Sequence, residues 1–239
     1  MMERTAESSP RRKARIAGGL WLMVIVAGMS AFVIRSPLIV RGDAAATASN
    51  ILASESLFRL AFAADLIAGV CYLGVTVLLY VLLKPVSRSV SLLAAFFGLA
   101  GVAIGSATSL TQLASLVLLG GGQYASAFTT SQLQAMAQAS LRLYAQGFNM
   151  AMVFFGFQCL LIGCLIARST FLPRILGVLL AIGGSSYIIS SFATFLSPAI
   201  GARLTPLIVP AALVGEGSLT LWLLVKGVNE QRWKEQRES

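Results

Sequence analysis

The sequence predicts an all-α membrane protein, a polytopic bundle of six transmembrane helices, and three observations support this class. Of the 239 residues, 57% are hydrophobic and only 11% are charged, whereas soluble domains carry roughly 25% charged residues. The apolar residues form continuous runs of about the 20 residues that a helix needs to cross a bilayer. They lack the alternation of a transmembrane β-strand. The length leaves room for about six spans and for no second domain.

The first predicted span covers residues 16–34 and follows the basic segment RRKAR at residues 11–15. A signal peptide has an apolar core of about 7–15 residues and a small-residue cleavage site. This run is longer and ends at Ile-Arg-Ser-Pro, so we expect it to be retained as a helix. Residues 42–56 then predict a short amphipathic helix at the outer interface, with Asp43 as its N-cap.

Five further spans are separated by turns that contain proline, glycine or basic residues. They are predicted at residues 59–83, at 89–119, at a segment that ends at 167, at 175–196 and at 207–225. A second short amphipathic helix on the outer side is predicted after Gln132, ahead of the span that ends at 167. The chain accordingly divides into a basic arm at residues 1–15, one transmembrane domain at 16–226 and a tail at 227–239, which we expect to be solvated.

Basic residues predict the orientation of the bundle. Thirteen of the 18 Lys and Arg residues lie in the N-terminal arm, in the tail with the adjacent Lys226, and in the two short turns at residues 84–88 and 168–174. The positive-inside rule makes this side cytoplasmic. Both termini are therefore predicted on the cytoplasmic side of the cell membrane. The net charge of +9 then indicates contact with anionic lipid headgroups rather than with nucleic acid. A homo-oligomer is compatible with the sequence.

Two segments resemble each other and suggest an internal repeat. Residues 54–67 and 137–150 both place a Ser-Leu-(Phe)-Arg-Leu motif between an amphipathic stretch and a span. A parallel duplication explains this pattern, and so does the similar composition of any two apolar hairpins.

Several polar side chains fall inside the predicted spans, where a charge costs roughly 2.5–3.5 kcal/mol at the helix centre. We expect them to line an outward-facing polar cavity between helices two to six, with Glu216 at its floor. Helix one has no polar stripe and is placed at the periphery. The candidate binding residues are Asp65, Gln112, Arg142, Gln146, Asn149, Thr194 and Glu216.

Charges and glycines within the spans allow two interpretations each. Arg142 is the expected counter-charge for either Asp65 or Glu216. Glu216 lies between two glycines and follows Pro210, so its helix is either locally broken, as at transporter sites, or continuous. Gly101 and Gly105 form a G-x-x-x-G pair, which usually indicates close helix packing.

Two function classes follow, and enzymes rank behind both. The polar cavity favours binding or translocation of a small molecule, lipid or proton. The alternative is a non-catalytic assembly protein whose intramembrane polar residues are structural. The chain has no histidine and no phosphate-binding G-x-x-x-x-G-K-[ST] loop, and its three cysteines lie in apolar runs. We therefore expect no catalytic residues, no metal and no cofactor.

Three segments of the chain resemble a family of bacterial integral membrane proteins known as domain of unknown function 4386. They are SPLIVRGDAAATASNILASESLFRL, FLPRILGVLLAIGGSSYIISSF and PAALVGEGSLTLWLLVKG. The resemblance runs from about residue 15 to residue 228. It implies the same several-span layout and no established activity, and family members often carry histidines that this chain lacks. The residues that match the family pattern are Arg59, Asp65, Pro173, Arg174, Gly177 and Glu216.

Overall fold

A computed structural model describes residues 9–238 of the chain. All regular secondary structure in this part of the chain is helical, which confirms the all-α class. Two short 3₁₀ turns occur at Ser36–Leu38 and Gln123–Ala127. The helices are α1 (Pro10–Arg35), α2 (Ala44–Ala53), α3 (Glu55–Leu83), α4 (Arg88–Leu119), α5 (Thr130–Arg168), α6 (Arg174–Leu196), α7 (Pro198–Val225) and α8 (Glu230–Glu238).

Five of the described helices are long and apolar enough to cross a bilayer, namely α1 with the turn that follows it, α3, α4, α5 and α6. A sixth span is reached if α7 and α8 are counted together, although the chain bends by 102° between them. Because α8 has the polar sequence EQRWKEQRE, we assign the apolar part of this pair to α7. The multi-spanning membrane class is therefore confirmed, with five or six spans.

The predicted interfacial helix is present as α2. Asp43 caps it, since the carboxylate Oδ1 accepts a hydrogen bond of 2.8 Å from the backbone N–H of Ala46. The preceding Gly42 has a φ of +83°, a left-handed conformation that glycine adopts without steric cost. The hydroxyl of Thr47 ties the helix to Val40, because it accepts from the backbone N–H and bonds the carbonyl of that residue.

Helix α5 differs from the predicted layout. The amphipathic stretch that follows the loop at residues 120–129 continues into the span without a break, so that α5 reaches 39 residues. In the first copy of the proposed repeat, the chain instead breaks at Ser54 between α2 and α3. The two copies thus enter their spans differently, and the duplication stays a prediction.

The tail contains the helix α8, whose surface is mostly exposed to solvent but whose single tryptophan packs on the protein. Trp233 of α8 is buried, and its indole Nε1 donates a hydrogen bond of 2.8 Å to the carbonyl of Leu82. The turn before α8 contains Gly227 at a φ of +71°, where a Cβ would lie 2.9 Å from Cγ of Arg11. This anchor was not predicted from the sequence, because the charged residues of the tail are more prominent than its single tryptophan.

The described chain forms two compact units. The first unit comprises the described residues of Met1–Met23, Cys71–Gly101 and Met152–Ser239, and the second comprises Val24–Val70 and Val102–Ala151. The core of the second unit is built from large apolar side chains of α2, α3, α4 and α5. These are Ile51, Phe58, Leu116 and Leu141.

In the first unit, α5 and α6 approach each other closely along a seam of glycines. A Cβ on Gly177 would lie 2.5 Å from the carbonyl oxygen of Gly163, and one on Gly184 would lie 2.6 Å from that of Gly156. Such backbone contact is a common way to pack helices where lipid removes the hydrophobic driving force. The predicted pair at Gly101 and Gly105 does not make this kind of contact.

Those two glycines meet side chains of α5 instead of its backbone. A Cβ on Gly101 would lie 2.7 Å from the ring of Phe155, whereas one on Gly105 would have its nearest neighbour, the Cβ of Ala151, at 3.9 Å. Only the first position therefore requires glycine for space. The small residue is needed there to admit an aromatic ring.

Hydrogen bonds at one end of the first unit join segments that are far apart in the sequence. The guanidinium of Arg15 donates to the carbonyl of Val225, and the Ser9 hydroxyl donates to the carboxylate of Glu230. The backbone N–H of Asn229 donates to the carbonyl of Phe171. The start of α1, the α5–α6 turn and the end of α7 thus lie together at this end, and its assignment to the cytoplasm remains a prediction.

Candidate functional site

The second unit contains a polar cluster centred on Asp65. Its carboxylate Oδ2 lies 2.6 Å from Nη1 of Arg35 and accepts a further hydrogen bond of 3.1 Å from Nε2 of Gln112. The hydroxyl of Tyr144 donates to the same oxygen at 3.3 Å. Arg35 also donates to Oε1 of Gln112 at 3.1 Å. The four side chains therefore form one closed network of hydrogen bonds.

Four helices each contribute one member of this Asp65 cluster. Arg35 is the last residue of α1, Asp65 lies on α3, Gln112 on α4 and Tyr144 on α5. The guanidinium carbon of Arg35 lies 4.7 Å from the centre of the Tyr144 ring, a cation–π contact. Only 10% of the Arg35 side chain and 18% of the Asp65 side chain are exposed. The charges are thus paired and largely enclosed.

Arg35 replaces Arg142 as the counter-charge of Asp65, which corrects the sequence-based expectation. Arg142 is exposed, while Arg35 forms the ion pair. Arg35 was passed over because basic residues at the ends of spans are usually anchors at the membrane surface. The position of Arg35 could have indicated its role, because it lies on the predicted outer side, where the basic residues are few.

The remaining predicted residues of the second unit stay outside the Asp65 cluster. Gln146 is exposed, and the side-chain amide of Asn149 donates to the carbonyl of Ala145 on its own helix. Of the seven candidates, the structure brings together Asp65 and Gln112. Thr194 and Glu216 belong to the first unit, and the outward-facing cavity remains a prediction.

Glu216 in the first unit accepts hydrogen bonds on both carboxylate oxygens. The hydroxyl of Tyr187 donates to Oε1 at 2.8 Å, and the indole Nε1 of Trp21 donates to Oε2 at 3.2 Å. No salt bridge to Glu216 occurs among the described residues 9–238. The half-buried acid is thus held by two neutral donors. We call these three side chains the Glu216 site.

Helix α7 is continuous around Glu216, so the locally broken helix suggested by the two flanking glycines is not observed. Gly215 has a packing role, because a Cβ there would lie 2.7 Å from the carbonyl oxygen of Leu179 on α6. Gly217 faces open space, because no atom lies within 4 Å of the position that a Cβ would occupy. One turn after the acid, Thr220 is 1% exposed, and its hydroxyl has no partner among the described residues.

Helix α1 was predicted to lie at the periphery because it has no polar stripe, yet it supplies one of the two donors to Glu216. Trp21 is fully buried, and Ala14 and Ala17 on the same helix are buried as well. A Cβ on Gly18 would lie 2.5 Å from the backbone nitrogen of Leu224 on α7. This donor was not predicted because a search for polar stripes overlooks tryptophan and tyrosine, whose bodies are apolar while one atom can donate a hydrogen bond.

The first unit contains a second group of polar side chains, which lies next to Trp21. The hydroxyl of Tyr72 donates to Oε1 of Gln158 at 2.9 Å, and the amide of Gln158 donates to the hydroxyl of Thr76 at 3.2 Å. The Tyr72 ring packs edge-on against Trp21, with centroids 6.3 Å apart. Gly98 provides the space for the Gln158 amide, which a Cβ would overlap. All three polar side chains are buried.

Neither polar site resembles a metal centre. Among residues 9–238, no three His, Cys, Asp or Glu side chains come together as metal ligands. The cysteines Cys71, Cys159 and Cys164 are unpaired. What both sites offer is hydrogen-bonding and ionisable groups within helices of spanning length.

Comparisons with known proteins identify a family and name no activity. A 153-residue segment is 27% identical to an uncharacterized protein of Archaeoglobus fulgidus and covers 64% of this chain and 75% of that protein. No solved structure matches the chain significantly. The family model described as "Domain of unknown function (DUF4386)" matches residues 16–227, which include every described side chain of the two sites. The chain therefore belongs to the family known as domain of unknown function 4386.

Proposed function

We propose that this multi-pass membrane protein takes up and releases a proton at Glu216. The observation that carries the proposal is the pairing of this acid with two neutral donors, Tyr187 and Trp21, inside the first unit. A carboxylate in a membrane span is costly unless it is paired or neutralised. A proton neutralises Glu216 without any rearrangement of the helices.

The chemistry of the two donors assigns the proton to one oxygen. An indole N–H can only donate a hydrogen bond, whereas a phenol hydroxyl both donates and accepts. Oε2 therefore stays an acceptor for Trp21 in either state. A proton on Oε1 can be donated to the Tyr187 oxygen once the phenol hydrogen has rotated away from Oε1. Tyr187 is thus the residue that adapts to both states of Glu216.

Infrared difference spectra of the protein in lipid membranes, recorded between acidic and alkaline buffer, test this proposal. We expect a carboxylic-acid C=O band that disappears in Glu216→Gln and shifts in Tyr187→Phe, because the phenol bonds the protonated oxygen. Asp65→Asn is the matched control and should leave this band in place. A pH-dependent band that survives in Glu216→Gln would refute the assignment.

Proton movement in sealed vesicles tests whether uptake leads to translocation. Proteoliposomes that contain a pH-sensitive dye should acidify faster than empty vesicles after an external acid pulse, and Glu216→Gln should abolish the difference. If the wild type and Glu216→Gln acidify vesicles at equal rates while the infrared band of Glu216 still responds to pH, the function is limited to proton binding.

The Asp65 cluster favours the second candidate function, a structural role in assembling the bundle. Its carboxylate already has a cation and two further donors, and a satisfied buried network makes a unit rigid. This interpretation applies to the second unit. It is compatible with a proton site in the first unit, because the two sites share no residue.

A further inference from the structure

The basic end of the first unit contains a groove that the proposed proton site does not use. The groove has a volume of about 670 Å³ and lies between the α5–α6 turn and α8. Thr170 and Leu172 of the turn form one wall, and Arg232 and Glu235 of α8 form the other, while Arg174 stands at the start of α6. Both arginines are exposed.

Hydrogen bonds hold the two walls of this groove together. The backbone N–H and the hydroxyl of Thr170 both donate to Oε1 of Gln236, and Nη1 of Arg232 donates to the carbonyl of Thr170 at 3.3 Å. The buried Trp233 anchors α8 from the other side. The groove is therefore a preformed feature in which one guanidinium is already oriented.

The charge of the groove and of its surroundings favours an anion. Two arginines and one glutamate line it, and further basic residues lie in the segments joined at this end. Arginine binds phosphate through two parallel N–H groups, which adds geometric specificity to the attraction. The basic residues in these segments are Arg11, Arg12, Lys13, Arg15, Lys84, Arg88, Arg168, Lys226, Lys234 and Arg237.

The surface of α6 indicates that the anion belongs to a lipid. Ile175, Val178 and Ile182 follow Arg174 at helical spacing, and all three are 48–59% exposed. Residues three and four positions apart share one face of a helix, so these side chains form an apolar track that begins beside the arginine. A phosphate with acyl chains attached matches both the polar groove and this track.

We propose that the groove binds the phosphate of an anionic phospholipid headgroup through Arg174 and Arg232, with an acyl chain along the exposed apolar face of α6. Glu235 weakens the attraction and limits the site to headgroups whose negative charge exceeds their positive charge. The general attraction of a basic surface to anionic lipid is thereby focused on one site of defined residues.

Native mass spectrometry of the full-length protein in detergent, with added dioleoyl phosphatidylglycerol, tests the proposal. We expect phosphatidylglycerol to stay bound in preference to phosphatidylcholine. Each of Arg174→Gln and Arg232→Gln should weaken binding about fivefold, since a basic residue near an anionic surface contributes about 1 kcal/mol. Glu235→Gln should strengthen it. Circular dichroism and size-exclusion profiles check that the variants stay folded.

Arg203→Gln is the matched control, because Arg203 is also exposed but lies 22 residues before the end of α7, about 33 Å along the helix. It should leave lipid binding unchanged. Wild-type binding in the Arg174→Gln, Arg232→Gln double variant would overturn the proposal, as would weaker binding in Glu235→Gln.

Two further ligands distinguish a lipid site from a phosphate site. Inorganic phosphate and dihexanoyl phosphatidylglycerol share the anion but lack long chains, so we expect both to bind more weakly than the dioleoyl lipid. Equal competition by inorganic phosphate would show a site for the free anion and would refute the role of the α6 track.

Discussion

Replacing Arg35 with glutamine tests whether the Asp65 cluster holds the second unit together. The substitution removes the ion pair with Asp65 and the cation–π contact with Tyr144. Breaking a buried pair by removing one partner typically costs 3–5 kcal/mol. Asp65 keeps its donors Gln112 and Tyr144, so we expect a loss of about 3 kcal/mol in the free energy of unfolding.

Arg59→Gln provides the matched control for this experiment. Arg59 pairs with Glu55 on the same helix α3, but 59% and 44% of these two side chains are exposed. Exposed pairs four residues apart contribute about 0.3–0.5 kcal/mol. Titration of the folded protein in mixed micelles with sodium dodecyl sulfate, followed by circular dichroism, measures both variants under the same conditions.

A double-mutant cycle isolates the interaction between the two charges. Arg35→Gln and Asp65→Asn should each destabilise, and their combination should cost clearly less than the sum, because each single change leaves one buried charge without its partner. Arg142→Gln should show no coupling to Asp65→Asn. The reasoning fails if Arg35→Gln costs no more than Arg59→Gln, or if Arg142 is the residue that couples.

Two further predictions concern packing and the tail. Gly177→Ala should destabilise by about 1–3 kcal/mol, because its Cβ would overlap the backbone of α5 at Gly163. Gly217→Ala should not destabilise, since Gly217 faces open space. The detergent titration compares the two variants, and equal stability would contradict close contact of the backbones. Trp233→Phe should remove the hydrogen bond to Leu82, which contributes about 1 kcal/mol. Tryptic cleavage after Lys234 should then be faster than in the wild type. Cleavage at the wild-type rate would indicate that the indole does not anchor α8.

The class of the protein and the position of most helices follow from the order of its residues alone. A bilayer requires about 20 consecutive apolar residues per crossing, so long apolar runs mark spans with little ambiguity. The N-cap of α2 at Asp43 was equally predictable, because the hydrogen bond that caps a helix reaches only three residues along the chain. Local geometry is sufficient for such features.

The pairing of polar side chains was decided by the tertiary structure. Asp65 and Arg142 both looked like members of one site, yet the ion pair joins Asp65 to Arg35, on another helix. Glu216 finds its donors on α1 and α6. Periodicity shows which residues share a face of one helix, but it does not show how that helix is rotated toward its neighbours. That rotation depends on how closely backbones approach, as at Gly163 and Gly177, and this is a property of packed helices together.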